Sequence, residues 1–229
     1  MITLHHLDHS QSFRILWLLE ELDYPYELKL YKREKDDLAP MEYKKISPTG
    51  TAPVITDDTN GLVLSESNAI IDYILDQAEA SGHDIRNLRP SAQDPARTDY
   101  LFWFHASQAS LQFLMGTDSL FRMLPSKVPF PIKMIMKTVG HKMHENFIDP
   151  RLTKILDMAE EALDKHAFLA ADHLTAADIT AVYSFDAVTE RMPDWPYPKI
   201  REYYEKLQSR PAFRAALEKA GEERISFPL

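Results

Sequence analysis

Strand-like alternation in this chain is confined to the first 65 residues, and beyond a Gly-, Asn- and Pro-bearing stretch every patterned segment repeats with helical period. That asymmetry restricts the fold more than any other feature. One sheet must be built from the front of the chain, and the rest can bury its apolar faces only as helix packed on helix. "MITLHHL" reads as a strand, "FRILWLLEEL" is apolar nearly all round as for a helix buried against a sheet, and "YPYELKLY" (Tyr24 to Tyr31) alternates again. A short helix is expected around Pro40 to Lys45. "PVITDD" and "LVLSES" follow as strands closed by the Asn60-Gly61 turn.

The helix that begins near Ser65 or Ser67, with Ala69, Ile70, Tyr73 and Ile74 on its apolar face, completes a β-α-β-α-β-β-α unit over residues 1–79. Residues 80–92 read as a linker and 93–229 as an all-helical domain. Within it, "HLTAADI" carries Thr175 and Asp178 at the spacing of a capping box, with Leu174 and Ile179 placed for a hydrophobic staple.

Composition removes whole classes of chemistry. The 229 residues include no cysteine, so disulfides, thiolate metal sites and a cysteine nucleophile are excluded. A formal charge of −9 argues against nucleic acid as a partner. No apolar run approaches the roughly 18 residues of a membrane span, and a chain opening directly on a strand is expected to be cytoplasmic. The segment holding Arg122, Lys127, Lys133, Lys137 and Lys142 is basic, and its helix near residues 131–144 carries Ile132, Ile135, Met136, Val139 and Met143 on one face.

Several residues have both a structural and a chemical reading. Pro53 in "SPTGTAPVI" suits the first position of an edge strand, or a cis Ala52-Pro53 bond that would free the Ala52 backbone to pair with an extended peptide. Ser10 either caps the first helix or offers its hydroxyl to an anion at the helix N-terminus, with Ser12 a weaker competitor. Asp8-His9-Ser10 is no hydrolase triad, because adjacent residues cannot stack as acid, base and nucleophile. Glu66 and Ser67 suit a first helical turn, and equally the ammonium and carboxylate of an α-amino acid end. His5 and His6 point to opposite faces of a strand, so no metal site is expected. Tyr100, Trp103, Phe104 and Phe113 recur at helical spacing as core residues do, and the first three are the candidates for an apolar pocket.

These elements occur in one order that resembles the cytosolic glutathione S-transferase family over essentially the whole chain. "SPTGTAPVI" is similar to that family's Asn/Ser-Pro-x-Gly-x-x-Pro-Val/Leu turn, "LVLSESNAIIDYI" to its Glu-Ser helix, "HLTAADI" to its capping box and "SRPAFRAAL" to its terminal helix. "SQSFRILWLLEEL" and "APMEYKKISPTG" look most like serine-type bacterial and fungal members similar to the yeast Gtt-type transferases. The resemblance implies a thioredoxin-like N-terminal domain and an all-helical C-terminal domain. It also implies a cis Pro53, Ala52 paired with the cysteinyl unit of glutathione, Thr51 beside the tripeptide, Glu66 and Ser67 on its γ-glutamyl end, and Ser10 donating to the thiolate.

Glutathione is then a co-substrate, the second substrate a hydrophobic electrophile or a peroxide, and the protein a homodimer. A glutathione-dependent peroxidase or disulfide reductase, and a non-catalytic protein-binding relative, are the competing expectations. The chain departs from the family in Ala171, where glycine is usual, and in Thr51-Ala52, where a Lys-Val pair is common. The second departure removes a cation for the glycine carboxylate, and Lys32, Arg33, Lys44 and Lys45 are the possible substitutes.

Overall fold

The computed structural model describes residues 1–35, 37–47, 49–191 and 195–225. Strands β1 (Ile2–Leu7), β2 (Tyr26–Tyr31), β3 (Val54–Asp57) and β4 (Leu62–Ser65) form one sheet in the order β2-β1-β3-β4. β1 pairs parallel with β2 and antiparallel with β3, and β3 pairs antiparallel with β4. The parallel pair needs a crossover, which helix α1 (Phe13–Leu22) supplies; the antiparallel pair closes on Gly61, whose φ of +70° suits a residue without a Cβ. Helices α2 (Met41–Ile46) and α3 (Ser67–Ala80) complete a thioredoxin-like unit.

β2 starts at Tyr26, two residues later than its alternation suggests, and the irregular stretch after α3 runs over 81–96, overlapping the expected linker. Beyond it lie α4 (Arg97–Ala106), α5 (Phe113–Met123), α6 (Ile132–Met143), α7 (Asp149–Lys165), α8 (Ala176–Arg191), α9 (Pro198–Ser209) and α10 (Pro211–Ala220). Two π-helical turns, Ser107–Gln112 and His144–Ile148, join α4 to α5 and α6 to α7. None of the described helices is long and apolar enough to cross a membrane.

The all-round apolar character of α1 has a simple cause: it is the seam of the molecule. It packs on the sheet and α3, and also on α8 and α10 of the helical domain. Phe213 of α10 meets Phe13 and Trp17 edge-on at 5.0 and 5.1 Å, and Arg210 holds Glu21 through paired contacts of 2.6 and 2.7 Å. One continuous core therefore spans both domains. By contrast, Ile132, Ile135 and Val139 on the basic α6 are exposed.

The Thr175/Asp178 box is half as expected. The Asp178 carboxylate accepts the Thr175 N–H at 2.7 Å, but the Thr175 hydroxyl donates to that same carboxylate, and the Asp178 N–H goes to the Thr175 carbonyl. Asp178 is wholly buried and has further donors in Leu169 N–H and Tyr203 OH, which is why it draws in the hydroxyl as well.

At the end of β3, Asp57 ties the hairpin to α3. Burial pushes its carboxyl up, but hydrogen bonds from the Thr59 N–H, the Tyr73 hydroxyl, the Thr59 hydroxyl and the Met1 ammonium outweigh that and bring it to about 2. The folded state thus binds this proton more weakly than the unfolded chain, and the stabilisation exists above the ordinary value of 3.8 and fades as pH falls towards 2. Asp57→Asn is expected to lower stability by about 1–2 kcal/mol near neutrality. In urea unfolding the gap from the parent should close on acidification below pH 4; a gap that does not change with pH would contradict this assignment.

Candidate active site

Ser10 lies in the loop between β1 and α1, 4% exposed, and its carbonyl accepts the Phe13 N–H that starts the helix. Its hydroxyl oxygen accepts the Ser12 N–H at 3.3 Å, as a residue capping the helix start does, while its hydrogen goes to the Leu7 carbonyl at 2.6 Å and Ser12 Oγ lies 2.7 Å away. Ser10, Thr51 and Ala52 line one cavity of about 280 Å³ together with Gln11, Arg33 and Lys44. A larger cavity of about 470 Å³, beside His83 and His173, contains none of the expected site residues, and its cation, Arg210, already holds Glu21.

The turn before β3 is shaped by its proline. The Ala52-Pro53 bond is cis, Pro53 is buried, and Ala52 faces the cavity. Ser47 fixes this turn from behind: its hydroxyl donates to the Thr51 carbonyl at 2.8 Å and accepts from Ser65 at 3.3 Å. That bond couples the Thr51-Ala52 turn to the residue preceding Glu66. Glu66 is exposed at the N-cap of α3 with φ of +77° and ψ of 122°, a backbone state that costs a residue with a Cβ about 1–3 kcal/mol. Ser67, buried beside it, donates to Gln11 Oε1 at 3.4 Å. Four of the six expected glutathione residues are thus tied to one cavity, Ser10, Thr51 and Ala52 directly and Ser67 through a hydrogen bond to Gln11, and Pro53 and Glu66 are their chain neighbours.

The aromatic residues proposed for the electrophile pocket lie elsewhere. Tyr100, Trp103 and Phe104 are 2%, 3% and 2% exposed within the shared core, Tyr100 stacks on Phe104 at 5.4 Å, and none of them borders the cavity at Ser10. Their helical spacing marks the face of α4 that packs inward. Tyr183 and Glu222 of the helical domain do reach the Ser10 loop, and Gln108 and Gln112 meet Arg14 just after it. Tyr183 OH donates to the Ser10 carbonyl in a very short bond. Its phenol is held well above the usual range by burial and by the nearby Glu222.

Arg14 is the residue that the sequence reading missed. It is fully buried in the first turn of α1, where its guanidinium donates to Gln11 Oε1 at 2.7 Å, Gln108 Oε1 at 2.9 Å and Gln112 Oε1 at 3.1 Å, and it sits over the Tyr183 ring. Among the described residues no carboxylate meets it. Burial lowers it to about 10, so it is charged at neutral pH, and its field reaches the Ser10 loop uncancelled by a direct partner. Two signals were available: a lone arginine inside an otherwise apolar helix, and glutamines at i and i+4 in "QASLQ". The π-helical turn Ser107–Gln112 is what brings both glutamines onto it.

The arrangement provides a peptide-sized cleft, a cis-proline turn, a buried hydroxyl and an uncompensated cation, a combination suited to an extended anionic ligand. Comparison with known proteins points the same way. Residues 10–77 match the family model "Glutathione S-transferase, N-terminal domain" and residues 132–220 match "Glutathione S-transferase, C-terminal domain". Glutathione S-transferase 3 of Schizosaccharomyces pombe is 31% identical over 99% of this chain and 90% of its own. Glutathione S-transferase 1 of Saccharomyces cerevisiae is 32% identical over 96% and 95%. Among solved structures, a glutathione S-transferase from Actinobacillus pleuropneumoniae superposes with a TM-score of 0.76 at 28% identity, covering 99% of this chain and 94% of that one. Fold, domain matches and near-complete alignment to the yeast proteins agree: the chain belongs to the glutathione S-transferase family and is a glutathione transferase resembling its yeast members.

Proposed function

We propose that this enzyme ionises the thiol of glutathione at Ser10 and transfers the sulfur to an electrophilic small molecule. The observation that carries the reading is the convergence of Ser10, Thr51 and Ala52 on one cavity beside the uncompensated charge of Arg14. In this reading residues 1–79 bind glutathione and the helical domain, residues 93–229, forms the other side of the cleft. The Ala52 backbone pairs with the cysteinyl unit, and Thr51 lies beside it. Glu66 takes the γ-glutamyl ammonium and Ser67 the α-carboxylate. The thiol proton leaves to water. The thiolate sulfur then forms a bond to the electrophilic carbon, and the leaving group departs with its electron pair.

Each unit by which the thiol is lowered reflects about 1.4 kcal/mol of preference for the thiolate. One hydrogen bond from Ser10 to a charged sulfur supplies about 1.5–3 kcal/mol of that. Ser10→Ala is therefore expected to raise the half-ionisation of bound glutathione by about one to two pH units, read by ultraviolet difference spectra, while leaving affinity for S-methylglutathione unchanged. An unaltered thiolate titration would remove Ser10 from the mechanism.

Lys44 supplies the cation that the Thr51-Ala52 turn lacks. Of the cavity's cations, Arg33 already donates to the carbonyls of Asp8, His9 and Asp37, whereas Lys44 forms no ion pair among the described residues. Lys44→Ala is expected to weaken glutathione binding about tenfold, close to 1.4 kcal/mol. Glutathione esterified at its glycine carboxylate should bind parent and variant alike in calorimetry; equal weakening of both ligands would place the glycine carboxylate elsewhere.

A further inference from the structure

Behind Ser10 runs a chain of polar groups that thiolate binding by Ser10 alone does not require. Ser12 Oγ, fully buried, lies 2.7 Å from Ser10 Oγ, 2.9 Å from His6 Nδ1, 3.2 Å from the Leu7 N–H that donates to it, and 3.2 Å from the Leu7 carbonyl. On the other side of the ring, His6 Nε2 lies 3.2 Å from Glu222 Oε1, which also accepts the His9 N–H at 2.7 Å. The side chains of His6 and Glu222 are 1% and 2% exposed. Glu222 follows α10, so the far end of the helical domain closes onto the central strand of the sheet.

Counting hydrogens fixes the direction of this chain. The Leu7 carbonyl can only accept, so its 2.6 Å contact takes the single hydroxyl hydrogen of Ser10. The hydrogen of Ser12 then fills the 2.7 Å contact between the serines in preference to its longer 3.2 Å contact with the same carbonyl, and a hydrogen on His6 Nδ1 fills the 2.9 Å contact behind it. Nε2 faces a carboxylate oxygen that already accepts from His9, so it carries a hydrogen too. Filled this way, the chain carries a hydrogen on both ring nitrogens of His6, the imidazolium form. With neutral His6 accepting from Ser12, the single Ser10 hydrogen could fill only one of its two short contacts, leaving either Leu7 O at 2.6 Å or Ser12 Oγ at 2.7 Å with no hydrogen between.

Other charges near the pair are compatible with this state. Burial pushes the Glu222 carboxyl up, but the hydrogen bonds from His6 and His9 outweigh it and hold the group below its usual range, so it remains a carboxylate. The other titratable groups facing the pair are His9 on the loop and Tyr183 of α8, which also senses Asp186, Arg14 and Arg33.

We propose that the buried Glu222–His6 ion pair, acting through Ser12, keeps the Ser10 hydroxyl a donor toward the glutathione sulfur. The inference rests on the role given to Ser10 above. Because Ser12 already donates to Ser10, the Ser10 hydrogen cannot turn inward. It is held on the Leu7 carbonyl until a thiolate offers a better acceptor. The imidazolium polarises both hydroxyls in the same sense, and each bond strengthens the next. Were His6 neutral and accepting from Ser12, the Ser10 hydrogen would be free to turn inward to Ser12 Oγ and leave a lone pair toward the thiolate. His6, Ser12 and Glu222 are thus positioning residues, and none touches the sulfur.

Nitrogen NMR of histidine-labelled enzyme without glutathione, with His6 assigned by loss of its signals in His6→Gln, is expected to show hydrogen on both ring nitrogens near neutral pH. A bare ring nitrogen would overturn the proposal. In the thiolate titration, Ser12→Ala and Glu222→Gln should each raise the half-ionisation of bound glutathione by about one pH unit, about tenfold in thiolate below it. S-methylglutathione should bind the parent and both variants alike, and Ser12→Thr, which keeps the hydroxyl, should restore the parent titration. A folded Ser12→Ala variant with an unchanged half-ionisation would overturn the relay even if Glu222→Gln fails to fold. An unshifted thiol in the parent enzyme would instead count against the functional reading itself, and the ring-nitrogen measurement would still decide the charge of His6.

Discussion

A guanidinium buried between two domains without a carboxylate is the constraint on which the rest of this structure depends. Desolvating a cation costs several kcal/mol unless its hydrogens are matched. Arg14 meets most of that requirement with the amide oxygens of Gln11, Gln108 and Gln112, which take hydrogens of both Nη atoms, leave Nε without a partner and leave the charge standing. Gln11 belongs to the Ser10 loop and the other two to the π-helical turn after α4, so the same bonds that solvate the cation dock the helical domain on α1. The location of Ser10, its proximity to positive charge and the register of the domains follow from one residue.

Around that point the backbone is held by groups that never face the cavity. Ser47 links the cis-proline turn to Ser65, Asn68 donates to the Phe104 carbonyl and accepts from Thr180, and Tyr183 clamps the Ser10 carbonyl. Strained or uncommon backbone at Glu66 persists because such contacts over-determine it on both sides. Ser10 is therefore held by both halves of the chain, and the polar contacts through Ser12 and His6 to Glu222 extend this support beyond α10.

Much of the fold was legible because it is written in local chemistry. Period-two runs, the Asn60-Gly61 turn and the apolar stripes identify strands, hairpin and helices from neighbouring residues alone, and the order of motifs implies the cis peptide bond at Pro53. The start of α3 was less legible: Glu66 rather than a serine occupies the N-cap, and no side-chain bond caps the helix there. The partners of Arg14 and Glu222 were illegible for a different reason. Gln108 lies 94 residues from Arg14, and His6 lies 216 from Glu222, and no local pattern encodes partners so distant. The rings at Tyr100, Trp103 and Phe104 show the converse, where helical spacing says core and the structure agrees with the plainer reading.

The account's central claim is that the protein exchanges a thiol for a thiolate on binding glutathione. The most direct measurement is calorimetric binding of reduced glutathione in buffers of different ionisation enthalpy near neutral pH, which reports the protons released per ligand bound. A lowered thiol with an already charged His6 predicts net release approaching one proton per site, and none for S-methylglutathione. Binding of reduced glutathione with no proton release would contradict it, showing a site that holds the tripeptide without activating its sulfur.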